Sequence, residues 1–182
     1  MLERYIALLR GINVGGKNKI SMPALKVAFE EVGFLNVITY INSGNVIFSS
    51  DINNESELKK ISEFAIANTF KLNISVTVVS AKKLSDTLNN SPDWWDTDNK
   101  DIYDNAIFVI SPTSVEEVYE AVGNPKLEYE RVSHYGNVIF WSASLKNFSK
   151  TRWSKIASSS VNSKVTIRNA NTSKKLLKLA GI

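Results

Sequence analysis

Residues 36–48 read NVITYINSGNVIF, and the last five letters, GNVIF, return at 136–140. Val, Ile, Thr and Tyr fill the first segment, and Ser43-Gly44 interrupts it. That pattern predicts two strands, 36–42 and 45–50, joined by a hairpin turn. Around the second copy, residues 127–133 and 137–142 form a matching pair about Tyr135-Gly136. Both copies enter what reads as the third strand of a unit, and this equivalent position points to an internal duplication.

Working outward gives the rest of each unit. RYIALL (4–9) is a buried strand. Ser21 caps a helix with Pro23 in its first turn, and Leu25, Ala28, Phe29 and Val32 recur at helical spacing before Gly33 stops it. Glu55 to Phe70 is a helix expected to turn Leu58, Ile61, Phe64, Ala65 and Ala67 to the core, and ISVTVVS (74–80) alternates as a strand. The order is βαββαβ, the ferredoxin-like unit. After a short helix (81–90) it repeats: strand 105–111, a helix capped by Ser114, the hairpin, a short helix 150–158, strand 165–168 and a terminal helix from Ser173 to Ala180. The expected fold is α+β, two tandem ferredoxin-like units with mixed, mostly antiparallel sheets. Residues 1–80 form the first unit, 81–104 a helix and acidic linker, and 105–182 the second unit with its C-terminal helix.

Composition narrows the chemistry. Cysteine is absent, which removes disulfides, thiol nucleophiles and thiolate metal sites, and His134 is the only histidine, which removes multi-histidine metal centres. No metal or cofactor is expected. No apolar run approaches the length of a membrane span, and the N-terminus carries no signal-peptide pattern, so a cytoplasmic protein without membrane contact is expected. Charge is uneven: residues 1–130 hold 12 basic and 18 acidic side chains, whereas residues 131–182 hold 10 basic and none acidic. The basic end suits either an anionic partner or docking on the acidic stretch SPDWWDTDNKDIYD of the same chain.

The stretch RGINVGGKNKIS (10–21) follows the first strand and is the candidate site. Gly11, Gly16 and Lys17 satisfy the first part of a Walker pattern, but Asn18 stands where a Mg²⁺-binding hydroxyl belongs. The helix start is also delayed to Ser21, and no strand ends in an aspartate. These features argue against a nucleoside-triphosphatase site and leave open a simpler anion site. Glycines let backbone N–H groups approach a ligand, Arg10, Lys17 and Lys19 supply charge, and a helix N-terminus adds a partial one. In a βαββαβ unit this loop lies at the same end of the sheet as the Ser43-Gly44-Asn45 turn. The candidate ligand-binding set is therefore Arg10, Gly11, Asn13, Gly15, Gly16, Lys17, Asn18, Lys19, Ser43, Gly44 and Asn45. It contains no base or nucleophile with an evident activator, so no catalytic residue is assigned and enzyme activity stays an open question.

ALLRGINVGGKNKISM, YINSGNVIF, FSKTRWSKI and VTIRNANTSKKLLKL together resemble the bacterial family catalogued as domain of unknown function sixteen-ninety-seven, over nearly the whole chain. The resemblance implies an α+β protein with two ferredoxin-like halves and supplies no activity. Its hallmark positions map to Arg10, Gly11, Asn13, Gly15 to Asn18 and Ser43 to Asn45. Near the C-terminus TIRNANT carries Ala170 where the family often has tryptophan, so this chain has no ring to stack at that position.

The leading expectation is binding of a phosphorylated small molecule or nucleotide at the glycine–lysine loop. A second is nucleic-acid binding through the basic C-terminal third, using Lys150, Arg152, Trp153, Lys155 and Arg168. A protein–protein adaptor with an open sheet face is a third. Two weaker features carry bland readings: His134 beside a turn is an exposed side chain, and DTDNKD lacks the glycine and glutamate of a calcium loop. Trp94 and Trp95 are expected to pin the acidic linker onto a core.

Overall fold

The structure, a computed structural model, describes residues 1–182. The chain divides into two compact units, Met1–Asp86 with Lys175–Ile182, and Thr87–Lys174. The first contains β1 (Glu3–Leu9), α1 (Met22–Glu31), β2 (Leu35–Tyr40), β3 (Asn45–Ser50), α2 (Glu55–Phe70), β4 (Val76–Ser80) and most of α3 (Ala81–Asn89). Its strands lie in the order β2-β3-β1-β4, and every neighbouring pair is antiparallel. A mixed sheet does not arise, because β3 inserts between β1 and β2. The two strands that the helical crossover leaves parallel never pair.

The second unit repeats the plan with β5 (Ile102–Val109), α4 (Val115–Val122), β6 (Glu130–Tyr135), β7 (Val138–Ser144) and β8 (Val165–Asn169), in the order β6-β7-β5-β8 and again antiparallel throughout. α5 (Ala170–Ala180) follows. The result is an α+β protein of two four-stranded antiparallel sheets with interleaved helices in a roughly duplicated layout. The GNVIF copies differ in their turns. Tyr40 pairs with Asn45 across a four-residue turn, whereas Tyr135 pairs with Val138 across Gly136-Asn137 alone.

Each core follows from the sequence pattern. In the first unit Leu25, Ala28 and Phe29 of α1 are buried as expected, and Phe29, Phe34 and Tyr5 surround Phe48, with Phe34 stacked on it at 4.1 Å. Such ring pairs contribute about 0.5–1.5 kcal/mol beyond the area they bury. The stripe on α2 runs through Leu58, Ser62, Ala65 and Ile66. Phe64 is 63% exposed, contrary to expectation. Ser62 takes a core position because its hydroxyl donates to the Leu58 carbonyl at 2.7 Å, so the stripe turns away from Phe64.

In the second unit Ile107, Ile139, Trp141, Trp153, Ile156 and Val165 form the core with α4. Trp95 pins the acidic linker as expected: it is buried, its indole N–H donates to the Asn105 carbonyl at 2.9 Å, and its ring meets Phe140 edge-on at 4.9 Å. Trp94 is only half-buried.

Two helices differ from expectation. Residues 150–158 do not form an α-helix; three 3-10 segments occupy Phe148–Lys150, Trp153–Ser158 and Asn162–Lys164. The hydroxyls of Thr151, Ser154, Ser158 and Ser159 each donate to a carbonyl three residues back, competing with a regular helical ladder. The terminal helix begins at Ala170 rather than Ser173, because Asn169 Oδ1 accepts from the Thr172 N–H at 2.8 Å and caps it earlier.

Candidate functional site

The glycine–lysine loop spans residues 10–21, between β1 and α1. Its tip is a miniature hairpin. Val14 faces Lys17, the Lys17 N–H donates to the Val14 carbonyl at 3.0 Å, and Gly15 and Gly16 have φ of 58° and 76°. Two successive positive φ values define the tight turn in which glycine is favoured at both central positions. The glycines therefore shape the finger first, and their exposure leaves the tip open to solvent.

Asn13 closes the neck of the finger. Its Nδ2 donates to the carbonyls of Ile20 and Asn42, both at 2.9 Å, and its Oδ1 accepts from the Ile20 N–H at 2.8 Å. Asn13 itself lies at φ 54°, a region asparagine tolerates better than most residues. Asn18, at φ 48°, adds a second strut: its Nδ2 donates to the Gly11 carbonyl at 3.0 Å, and its own carbonyl accepts from the Asn13 N–H at 3.1 Å.

The expected proximity of loop and hairpin turn is present. Leu8 pairs with Asn45, the Leu9 N–H donates to the Gly44 carbonyl at 2.8 Å, and Asn13 reaches Asn42. Gly44 has φ 83°, and a Cβ there would lie 2.6 Å from Ile12 Cδ1 and 2.8 Å from Leu9 Cβ. That contact sets how closely the turn approaches the loop. Asn45 is fully buried, and its Nδ2 donates to the Tyr40 carbonyl and to Ser43 Oγ. It braces the turn from within.

The groups left facing solvent are the Lys17 and Lys19 ammonium groups, the tip glycines and the start of α1, with Arg10 half-buried at the base. Asn13, Gly16, Lys19, Ser21, Met22 and Asn42 line an open groove of about 380 Å³ that contains no carboxylate. The helix end contributes less than expected. Ser21 Oγ accepts from the Ala24 N–H, the Leu25 N–H donates to the Ser21 carbonyl, and Pro23 has no N–H. The Ser21 and Met22 amides are left at the helix end without such a bond, and Lys19 is the cation in the groove's lining.

The residues expected to contact nucleic acid separate into two groups. Lys150, Arg152 and Lys155 are exposed, whereas Trp153 is fully buried and Arg168 is 7% exposed. Trp153 cannot stack on a base: its indole N–H donates to the Gly123 carbonyl at 3.0 Å and its ring meets Tyr119 at 5.1 Å. Arg168 lies inside the unit, donates to Thr166 Oγ1 and the Ile167 carbonyl, and burial lowers it to about 10. Two of the basic-end lysines do meet upstream acids, Lys174 with Asp96 at 2.7 Å and Lys164 with Glu117 at 3.9 Å. His134 is exposed, with its ring 5.8 Å from Tyr119.

Sequence reasoning missed Glu130. It is 3% exposed, and its carboxylate accepts four N–H donors. Oε1 takes the backbone amides of Lys126 (2.9 Å) and Arg152 (2.7 Å); Oε2 takes the Trp141 indole and the Trp153 amide, both at 3.1 Å. A buried carboxylate satisfied by fixed N–H dipoles needs no cation beside it. The signal was available, since Glu130 is the last acid before a long acid-free stretch holding Trp141 and Trp153.

The chain belongs to the family described as protein of unknown function (DUF1697), matched over residues 2–140. It is also similar to a solved structure of a conserved bacterial protein from Streptococcus pneumoniae, at 32% identity, with 99% of each chain covered and a TM-score of 0.86. No curated protein matches the chain. No helix is long and apolar enough to cross a membrane.

Proposed function

We propose that the protein binds a phosphorylated small molecule or nucleotide in the groove between Gly16–Lys19 and the start of α1. The observation that carries this reading is the Asn13 clasp. Its three hydrogen bonds tie residues 13, 20 and 42 together, so the finger is held over the groove and not free in solution. Preorganisation lowers the ordering cost that a mobile lysine loop would add to binding. In this reading Lys17, Lys19 and Arg10 neutralise anionic oxygens, and the amides of Gly15, Gly16 and Met22 are the backbone donors. Asn18, Ser43, Gly44 and Asn45 shape the site without contacting the ligand.

The test is thermal unfolding of wild type and Lys17→Ala/Lys19→Ala with nucleotides and sugar phosphates, with and without Mg²⁺. A ligand at 100 times its dissociation constant adds about 2.7 kcal/mol of stability. The expected result is a shift in wild type that the folded double variant loses. A shift of equal size in both proteins would remove the ligand from this loop.

A further inference from the structure

We infer that the second unit carries a separate site for a phosphorylated sugar, in the groove where Lys126, Arg152, Lys155, Ser158 and Ser159 converge beside the C-terminal end of α4. The groove has a volume of about 340 Å³ and no carboxylate in its wall. That volume lies at the lower end of the usual range for small-molecule sites.

The charged ends of the three cations form no ion pair with a carboxylate. The molecule's ion pairs join Lys26, Lys59, Lys82, Lys83, Lys164 and Lys174 to carboxylates, and none uses Lys126, Arg152 or Lys155. Like charges held around one depression repel one another, and a dianion placed among them adds an attraction to each cation that offsets this repulsion.

The arrangement is held from within. Glu130 Oε1 accepts the backbone N–H groups of both Lys126 and Arg152, so one buried carboxylate fixes the two chain segments from which these cations project. Gly123, at φ 89°, clears room for the guanidinium: a Cβ there would sit 3.0 Å from Arg152 Nη1. An arginine laid along a surface in this way presents its planar fork in a restricted orientation, which suits the paired oxygens of a phosphoryl group.

The two serines specify more than charge. Ser158 donates its hydroxyl proton to the Lys155 carbonyl at 3.0 Å, and Ser159 donates to the Ile156 carbonyl at 2.7 Å. With both hydroxyl protons engaged in this way, each serine oxygen keeps lone pairs with which to accept a hydrogen bond. A bare phosphate dianion has no proton to give them, whereas a sugar hydroxyl does. Cations for the phosphoryl end and acceptors for a hydroxyl end define a sugar phosphate. A nucleic-acid backbone would call instead for an extended cationic track with an exposed stacking ring, and the tryptophan here is buried.

The experiment is an NMR titration of the ¹⁵N-labelled full chain with ribose 5-phosphate, inorganic phosphate, ribose and a short single-stranded oligonucleotide. Saturable amide shifts at 121–126 and 152–159 are expected with ribose 5-phosphate, weaker ones with inorganic phosphate, and none with ribose. Arg152→Gln/Lys155→Gln should weaken ribose 5-phosphate at least tenfold with the spectrum otherwise retained. If that variant loses its fold, Lys155→Gln alone replaces it. Ser158→Ala/Ser159→Ala should narrow the preference for ribose 5-phosphate over inorganic phosphate. The proposal is overturned if these amides do not respond at millimolar ligand, if the oligonucleotide moves them at lower concentration, or if the glutamine variants bind as wild type. Shifts confined to residues 13–22 would also overturn it while leaving the glycine–lysine groove standing.

Discussion

Glu130 is the residue whose loss should be felt most widely. Removing its carboxylate strips an acceptor from four N–H groups on three separated segments, around residues 126, 141 and 152–153. A buried N–H donor left without its acceptor costs about 1–3 kcal/mol, so stripping the acceptor from this set costs several kcal/mol in all. Glu130→Ala is expected to lose that much, read as a lower denaturation midpoint in urea. Glu130→Gln should lose less, since it keeps one carbonyl oxygen but turns an NH₂ toward two donors. Gly44→Ala should also be costly, because its Cβ would sit 2.6 Å from Ile12 in a strained φ. Gly15→Ala and Gly16→Ala, with nothing within 4 Å, carry only the dihedral penalty of about 1 kcal/mol. Thermal unfolding of the three variants gives the ranking. Asp104 offers a pH test. Burial raises its carboxyl above 3.8, outweighing the hydrogen bond from Ser142. The folded state then holds that proton more tightly than the unfolded state, so its contribution falls as pH rises from 3.8 through the raised value. Asp104→Asn should remove this part of the slope, gaining relative stability at neutral pH and none below the unfolded value, as urea titrations across acid pH would show.

At the scale of elements, the finger at 10–21 and the 3-10 segments both owe their shape to side chains more than to backbone ladders. Asn13→Ala removes three hydrogen bonds from the finger's neck. A loss of about 1.5–3 kcal/mol is expected, together with faster tryptic cleavage after Lys17 and Lys19. Unchanged cleavage would mean that the tip hairpin alone holds the loop. These elements also show what could be read beforehand. The place of the loop beside the first turn followed from topology, and α1 followed from its cap and periodicity. The roles of Asn13, Asn18 and Asn45 did not follow. An asparagine in a loop has the same letter whether its amide faces a ligand or the chain, and only its long-range partners, such as Asn42, decide between them. The helix expected at 150–158 failed for a related reason: spacing of apolar residues cannot show hydroxyls competing with the helical ladder.

Across the whole molecule, the recurrence of GNVIF and the alternation of strands and helices were enough to give two α+β units. Their uniform antiparallel pairing depends on β3 and β7 inserting beside the first strand of each unit. The charge asymmetry was legible as a number but not as a surface. Of the five residues expected to meet nucleic acid, burial removes Trp153 and Arg168. With three cations left, any single-stranded RNA binding through this set should show a log–log salt slope no steeper than about −2. A steeper slope in filter-binding titrations would require a larger basic face than these residues supply.

The Glu130 bonds also bear on time. Short 3-10 segments ordinarily open one at a time, and their amides trade hydrogen for deuterium quickly. The Arg152 and Trp153 amides point instead at a carboxylate sealed in the core, at 2.7 and 3.1 Å. Exchange at either amide needs its bond to a 3%-exposed carboxylate broken, a deeper opening than the fraying of one 3-10 turn. In a deuterium-exchange experiment these two positions should keep pace with the central strands β5 and β7, and the most irregular stretch of the unit would then report its global opening.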